Sequence, residues 1–278
     1  MSAVRSAIVS QLPKPVVNRL RALKSALQSR HSIDEAEIVA LLAARREGPG
    51  SVLVDVGAHH GAVTEQFLDM GWSVIAYEPD PANRMEFQKR IGSRAGLQLS
   101  PAAVSDKPAH DASFFASPVS TGISSLSAFH ESHTPAATVE VVTLAADLQA
   151  RGVSRVDFLK VDIEGFDFYA LKGFDWSHTP DFVLYEFENR KTVPLGYSLA
   201  DSSAFAISLG YHLVYSVWEP IVEYGTAHRW RGVYPSPPID VEHCWGNVLC
   251  FRNKADADLC LSVFGSRAYR WFGWRGRG

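Results

Sequence analysis

Apolar residues along this chain recur first at one period and then at another. Val16, Leu20, Leu23 and Leu27 stand at helical spacing with Arg19, Arg21 and Lys24 between them. A second helix is predicted over 33–46, with Asp34 and Glu35 at its start and Gly48-Pro49-Gly50 as its stop. From residue 51 β-branched runs alternate with helical stretches. SVLVDVG (51–57), SVIAYEP (73–79) and LQLSPAAV (97–104) read as strands, and 62–70 and 81–91 as the helices between them, closed by Gly71 and Gly92. Strand–helix–strand units at this spacing predict a parallel sheet with right-handed crossovers.

The pattern then breaks. Residues 105–138 are rich in Ser, Thr, Pro and Ala, too long for a plain connection, and predict a functional loop or small hairpin insertion. Alternation returns with VEVVTLAADL (139–148), extended and then helical. Next come strands VDFLKVDIEG (156–165) and DFVLYEFE (181–188), a helix over 199–209, and strands at 211–217 and 246–253. The expected organisation is a helical N-terminal extension (1–48), a main domain (49–255) carrying the 105–138 insertion on its substrate side, and a C-terminal tail (256–278).

Composition narrows the partners. The net charge of −3 gives no basic field for nucleic acid. Residues 1–33 hold six basic and no acidic side chains, so the remainder is −9 (−3 less the +6). That segment has no continuous apolar core of a signal peptide. It reads either as helix packed on the main domain or as a basic amphipathic helix on anionic lipid, a peripheral membrane contact. Cys244, Cys250 and Cys260 are odd in number and form no CxxC pair, which speaks against a disulfide framework or zinc site and for a reducing, cytoplasmic compartment.

Candidate chemistry begins where the first strand ends, at VDVGAHHG (54–61). In an open parallel sheet, ligands bind beyond the carboxyl ends of the strands. Gly57 permits close backbone approach, Gly61 permits tight helix packing, and Asp55 offers negative charge to a cationic ligand head. The loop reads Gly57-Ala58-His59-His60-Gly61, without the middle glycine that a pyrophosphate requires. It therefore suits an adenosine-type ligand without pyrophosphate. The second strand ends in Tyr77-Glu78-Pro79, and Glu78 lies where a carboxylate accepts hydrogen bonds from two ribose hydroxyls.

Four blocks, VDVGAHHGAVTEQF (54–67), VIAYEPDPANRMEF (74–87), PAAVSD (101–106) and VDFLKVDIEGFDFYALKGF (156–174), resemble the FkbM family of S-adenosylmethionine-dependent methyltransferases. PDFVLYEFEN (180–189) is a fainter echo, and together the blocks cover about residues 50–255. The resemblance implies an α/β, Rossmann-like sheet of seven strands, mostly parallel with an antiparallel last strand. It implies methyl transfer to a hydroxyl, often of a sugar or natural product. It places Asp55, Gly57 and Gly61 near the methionine part of the cofactor, Glu78 with Pro79 at the ribose, and Ala103, Val104 and Asp106 at the adenine. Two positions depart from the family pattern: His59 stands where Asn is usual, and Val63 where an aromatic is usual.

A sugar hydroxyl is a poor nucleophile, so a base or metal should assist its attack. Asp162, at a strand end and beside the expected cofactor methyl, is the first candidate, with Glu186 as a second acid in the pocket and His59 as a further base. Glu188, His60, His130 and His133 are also available. Glu164 reads either as a pocket acid or as a cap of the next helix, and Lys160 as an ion-pair partner. Asp162 with Glu186 could alternatively hold Mg²⁺. Phe114, Phe115, Phe129, Thr121, Ser124 and Ser125 of the insertion, and Trp218, Trp230 and Trp245, are candidate walls for a saccharide or glycolipid acceptor, or else core. The competing functions are a nicotinamide oxidoreductase and a silent cofactor-binding scaffold.

Overall fold

The β-branched runs form strands and the periodic stretches between them form helices in a computed structural model of the protein, which describes residues 34–45, 50–117, 124–126, 131–177, 179–221 and 228–265. The expected helix through Val16–Leu27, the positions Thr121, Phe129 and His130, and the end of the tail lie outside the described residues. In chain order the elements are α1 (Glu35–Ala43), β1 (Val52–Val56), α2 (Ala62–Asp69), β2 (Ser73–Tyr77), α3 (Pro81–Ile91), β3 (Leu97–Ser100), β4 (Ala103–Val104), β5 (Ala109–Ala116), β6 (Thr134–Val142), α4 (Leu144–Ala150) and β7 (Phe158–Val161). They continue with α5 (Asp167–Lys172), β8 (Phe182–Phe187), α6 (Asn189–Thr192), α7 (Leu199–Ser208), β9 (His212–Trp218), β10 (Trp230–Tyr234), β11 (Trp245–Phe251) and α8 (Lys254–Phe264).

Local chemistry sets the helix starts. Asp80 precedes Pro81 and accepts from Ala82 N at 2.8 Å, so the first turn of α3 is capped by a carboxylate and entered by a residue with preset φ. Ser198 and Asp201 form a reciprocal capping box on α7.

The main sheet runs β10-β9-β11-β8-β7-β1-β2-β3. The five strands from β3 to β8 are parallel, and β11 is antiparallel to both of its neighbours. The period of two along each strand sorts its side chains into two cores. Leu53, Phe158 and Phe182 pack with α1, α2, α3 and α8 on one face, and Val54, Leu159 and Val183 with α4, α5 and α7 on the other.

Two expectations need correction. The sheet has eight strands, because β10 joins it beyond β9. Its sequence, WRGVY, hides the alternation: Gly232 sits at a register shift and at φ 137°, as suits a bulged edge strand. The stretch 97–104 is two strands, because Pro101 has no N–H to continue the ladder; β4 instead pairs with β6 in a second sheet, β4-β6-β5. Ile38, Val39 and Leu42 of α1 lie in the core, and α8, which runs past residue 255, buries Leu259, Cys260 and Phe264 there. The insertion is a hairpin, β5 with β6, as one of its two readings expects. Among the described residues no helix is long and apolar enough to cross a membrane.

Candidate functional site

The strand register builds the site. Val56 pairs with Tyr77 on one side and Val161 on the other, and Val161 pairs with Tyr185. One step further toward the carboxyl edge therefore stand Glu78, Gly57, Asp162 and Glu186, in a row across four strands. The first three line a cleft of about 800 Å³, counting its open mouth. That space suits a ligand of nucleoside size.

Below the row lies a buried brace. Asp55 and Lys160 are register partners on β1 and β7. Lys160 Nζ lies 3.1 Å from Asp55 Oδ1, donates to Gly57 O at 3.1 Å and sits 3.7 Å from Asp162 Oδ2. Thr64 Oγ1 donates to the other oxygen of Asp55 at 2.7 Å. Burial pushes the Lys160 ammonium down, but Asp55 and Asp162 outweigh it and hold the group charged, well above its ordinary value. Asp55 thus faces Lys160 and Thr64 and is not among the residues lining the cleft. Gly57 has φ 77°, and a Cβ there would fall 1.9 Å from Asp162 O, so two strand ends meet over a position that only glycine fits. At Gly61 a Cβ would strike Ile91 Cδ1 and the Phe87 ring; this glycine packs α2 on α3 rather than lining the cleft.

Glu78 is buried, and both its oxygens take backbone amides: Asp80 N at 2.9 Å and His59 N at 2.7 Å. Burial outweighs these bonds and pushes its carboxyl up to about 7. His59 lines the cleft at φ 50°, its ring stacked on His60 at 3.7 Å. Burial, then His60, lowers its pKa and favours a neutral imidazole. Pro79, Ala103 and Val104 line the cleft as expected, whereas Asp106 stands outside it and accepts from Ser105 Oγ at 3.3 Å. Asn83, Ala102, Leu126, Ile163 and Phe166 also line it and were not anticipated; their signal in the sequence is only proximity to the strand ends.

The hairpin roofs this cleft with Phe114, Ser124, Ser125 and Leu126. Ser124 Oγ donates to Asp80 Oδ2 at 3.0 Å, and Ser125 Oγ to Glu164 O at 3.2 Å, so a short strap spans from the β2 side to the β7 side. His133 precedes β6, and neither it nor Phe115 lines the cleft. Trp218, Trp230 and Trp245 are aligned by register and do not line the cleft: Trp218 lies in the core, its Nε1 donating to buried Glu35 at 2.7 Å, and Trp230 and Trp245, partly buried, pack against it.

Asp162 is the exposed acid of the row, its side chain 47% accessible. Glu186 is buried beneath the wall and does not line the cleft, a correction to its expected place. Glu164 caps no helix: it takes φ 57°, and its carboxylate reaches Lys191. One oxygen each of Asp162, Glu164 and Glu186 lies within 4.8 Å of the others. That spacing suits a hard cation, but Lys191 Nζ already lies 3.4 Å from Glu186 and against Glu164. Glu164 and Glu186 face the Lys191 ammonium and Asp162 that of Lys160 at 3.7 Å, so the set does not fit Mg²⁺.

The residues do fit a nucleoside sulfonium. The cleft offers a carboxylate for vicinal hydroxyls, the apolar walls Val104, Phe114 and Leu126 for a base, and the Asp162 charge for a cationic head. A family model described as the methyltransferase FkbM domain matches residues 55–204. No curated protein matches the chain. Among solved structures, precorrin-6y C5,15-methyltransferase from Geobacter metallireducens is 11% identical over 77% of this chain and 86% of its own, with TM-score 0.40. A TehB-like SAM-dependent methyltransferase from Corynebacterium glutamicum is 11% identical over 87% and 100%, with TM-score 0.39. Magnesium protoporphyrin IX methyltransferase from Synechocystis, with bound SAM, is 10% identical over 91% and 92%, with TM-score 0.40. The family match spans more than half of the chain, through the glycine bend, Glu78 and Asp162 alike, and the chain belongs to the FkbM family of S-adenosylmethionine-dependent methyltransferases.

Proposed function

We propose that the protein is an O-methyltransferase acting on a hydroxyl of a saccharide or glycosylated metabolite. The observation that supports this reading is the Asp162 carboxylate, half exposed at the cleft and backed by buried acids rather than by a metal-ready donor set.

S-adenosylmethionine, when bound, supplies a methyl group activated by its sulfonium. The chain's own residues bind, orient and move the proton. Glu78 accepts hydrogen bonds from the ribose hydroxyls, using lone pairs beyond those given to His59 N and Asp80 N. Ala103, Val104, Phe114 and Leu126 flank the adenine. Asp162 accepts the proton of the acceptor hydroxyl and aims the oxygen lone pair at the methyl carbon. His59, neutral and beside the cleft, is the second group able to take that proton. Positioning of this kind supplies ~7–11 kcal/mol of the barrier lowering in well-oriented reactions.

The test is incubation with methyl-labelled cofactor and fractionated glycolipids and polysaccharides of the source cell. A base-stable methyl ether on a sugar is expected. Label confined to protein, nucleic acid or sugar-free lipid overturns the acceptor class. Cofactor binding with no transfer to any fraction supports the silent scaffold instead.

A further inference from the structure

Besides Lys160 of the brace, the mechanism above leaves a second buried ammonium unused, that of Lys191. Lys191 follows β8 on the short α6, and its side chain is 4% exposed. Its ammonium contacts Glu164 Oε2, stands 2.9 Å from Glu188 Oε2, and lies 3.4 Å from Glu186 Oε1. These acids come from different parts of the chain. Glu164 follows β7 and lines the cleft, Glu186 is in β8, and Glu188 directly follows that strand. The desolvation of this ammonium is offset by its carboxylate partners, so it ties together the segments that carry them at the place they meet.

That place is the turn carrying Asp162. Glu164 is held at φ 57°, a conformation that costs a non-glycine residue free energy and persists only where the surroundings impose it. Ser125 Oγ holds the carbonyl of Glu164, and Asp167 accepts from Ile163 N at 3.3 Å and Gly165 N at 3.0 Å. The side chain of Glu164 is then fixed by Lys191. We propose that Lys191 is a positioning residue of the transfer site, an ammonium clamp that locks the Asp162–Glu164 turn to the end of β8 and so aims Asp162 into the cleft. The clamp rests on the reading of Asp162 as the group that meets the acceptor.

The clamp also divides the protons of the cluster. Arg190 shares Glu188, at 2.6 Å. Burial pushes Glu188 up, but Lys191 and Arg190 outweigh it and hold this acid below its ordinary value. Burial raises Glu164 against the pull of Lys191, with Asp162 adding to the rise. Glu186 has the longest contact with the ammonium and faces Glu164, Asp162 and Asp167 besides; burial first, then these charges, raise it against the pull of Lys191. One ammonium thus serves three carboxylates, holding Glu188 down while burial pushes Glu164 and Glu186 up.

Two measurements test the clamp. The first needs no acceptor: infrared difference spectra of protein labelled with ¹³C-glutamate at pH 7. A protonated-carboxyl band gained or strengthened in Lys191→Met is expected. No change in Lys191→Met overturns the proposal. The second measures label transfer to the accepting fraction. Lys191→Met should lower kcat about tenfold or more and move the acidic limb of its pH profile upward, leave S-adenosylhomocysteine affinity within about twofold, and be partly rescued by Lys191→Arg. Transfer within about twofold of wild type with an unmoved profile overturns it. If Lys191→Met does not fold, Glu164→Gln decides: a similar fall is expected, and an unchanged rate overturns the clamp. Should the wild type label no saccharide fraction, the acceptor reading fails alone and the infrared result still judges Lys191.

Discussion

The backbone N–H of His59 donates to Glu78 Oε2 at 2.7 Å, tying the loop after β1 to the acid that ends β2. The same carboxylate therefore shapes the glycine bend and faces the cleft. Burial raises it to about 7 from an ordinary 4.5. Between those values the folded protein keeps a proton that the unfolded chain has released. The stability this contributes is present in full below about pH 4.5 and is lost as pH rises through 7, on the order of 3 kcal/mol. Thermal unfolding followed from pH 4 to 8 should show this decline in wild type and a flatter profile in Glu78→Gln.

Cofactor affinity should run the other way. The ionised carboxylate is the stronger acceptor for ribose hydroxyls, so S-adenosylhomocysteine should bind more tightly at pH 8 than at pH 6. Calorimetry on Glu78→Ala should show affinity reduced at least about tenfold; unaltered affinity removes Glu78 from the ribose.

Two glycines of one loop should respond differently to alanine. At Gly57 the new Cβ meets a backbone carbonyl at 1.9 Å; at Gly61 it meets side-chain atoms of Ile91 and Phe87. Gly57→Ala should cost roughly 3 kcal/mol or more in urea unfolding and abolish S-adenosylhomocysteine binding. Gly61→Ala should be destabilised less, by about 1–3 kcal/mol, with affinity largely kept.

Asp162→Asn removes the proposed proton acceptor while leaving the turn's backbone in place. Labelled transfer should fall by about 10²–10⁴, and S-adenosylhomocysteine affinity should change by less than about tenfold. A rate equal to wild type would exclude Asp162 from the chemistry.

Ser124→Ala breaks the link from the strap to Asp80. One hydrogen bond of ordinary strength corresponds to about fivefold in a rate, so dissociation of S-adenosylhomocysteine should quicken by that order in stopped flow. An unchanged rate means that the strap does not hold the ligand in.

Much of the site was legible because it sits on strand ends. Glu78, Gly57 and Asp162 each close a β-branched run, and a parallel register brings such ends into one row without further information. What was misplaced depends on side chains rather than on the row. Glu186 occupies the next place in register, yet it turns beneath the wall. Asp55 looked like a partner for a cationic ligand; its partner is Lys160, one strand away. Glu35 reads as an ordinary acid in the first turn of a helix, but it is buried, accepting from Ser216 Oγ and Trp218 Nε1 at 2.6 and 2.7 Å. Such long-range polar pairs leave no periodic trace. The same holds for β10, whose glycine and arginine conceal an edge strand.

The position of β11 has a consequence for how the protein is made. Among the described residues it is the last strand, yet it fills the gap between β8 and β9, pairing with both. During synthesis those two earlier strands wait with open edges until residues 245–251 emerge from the ribosome. Closure of the sheet is therefore a late, long-range event, and the nascent chain carries an aggregation hazard until then.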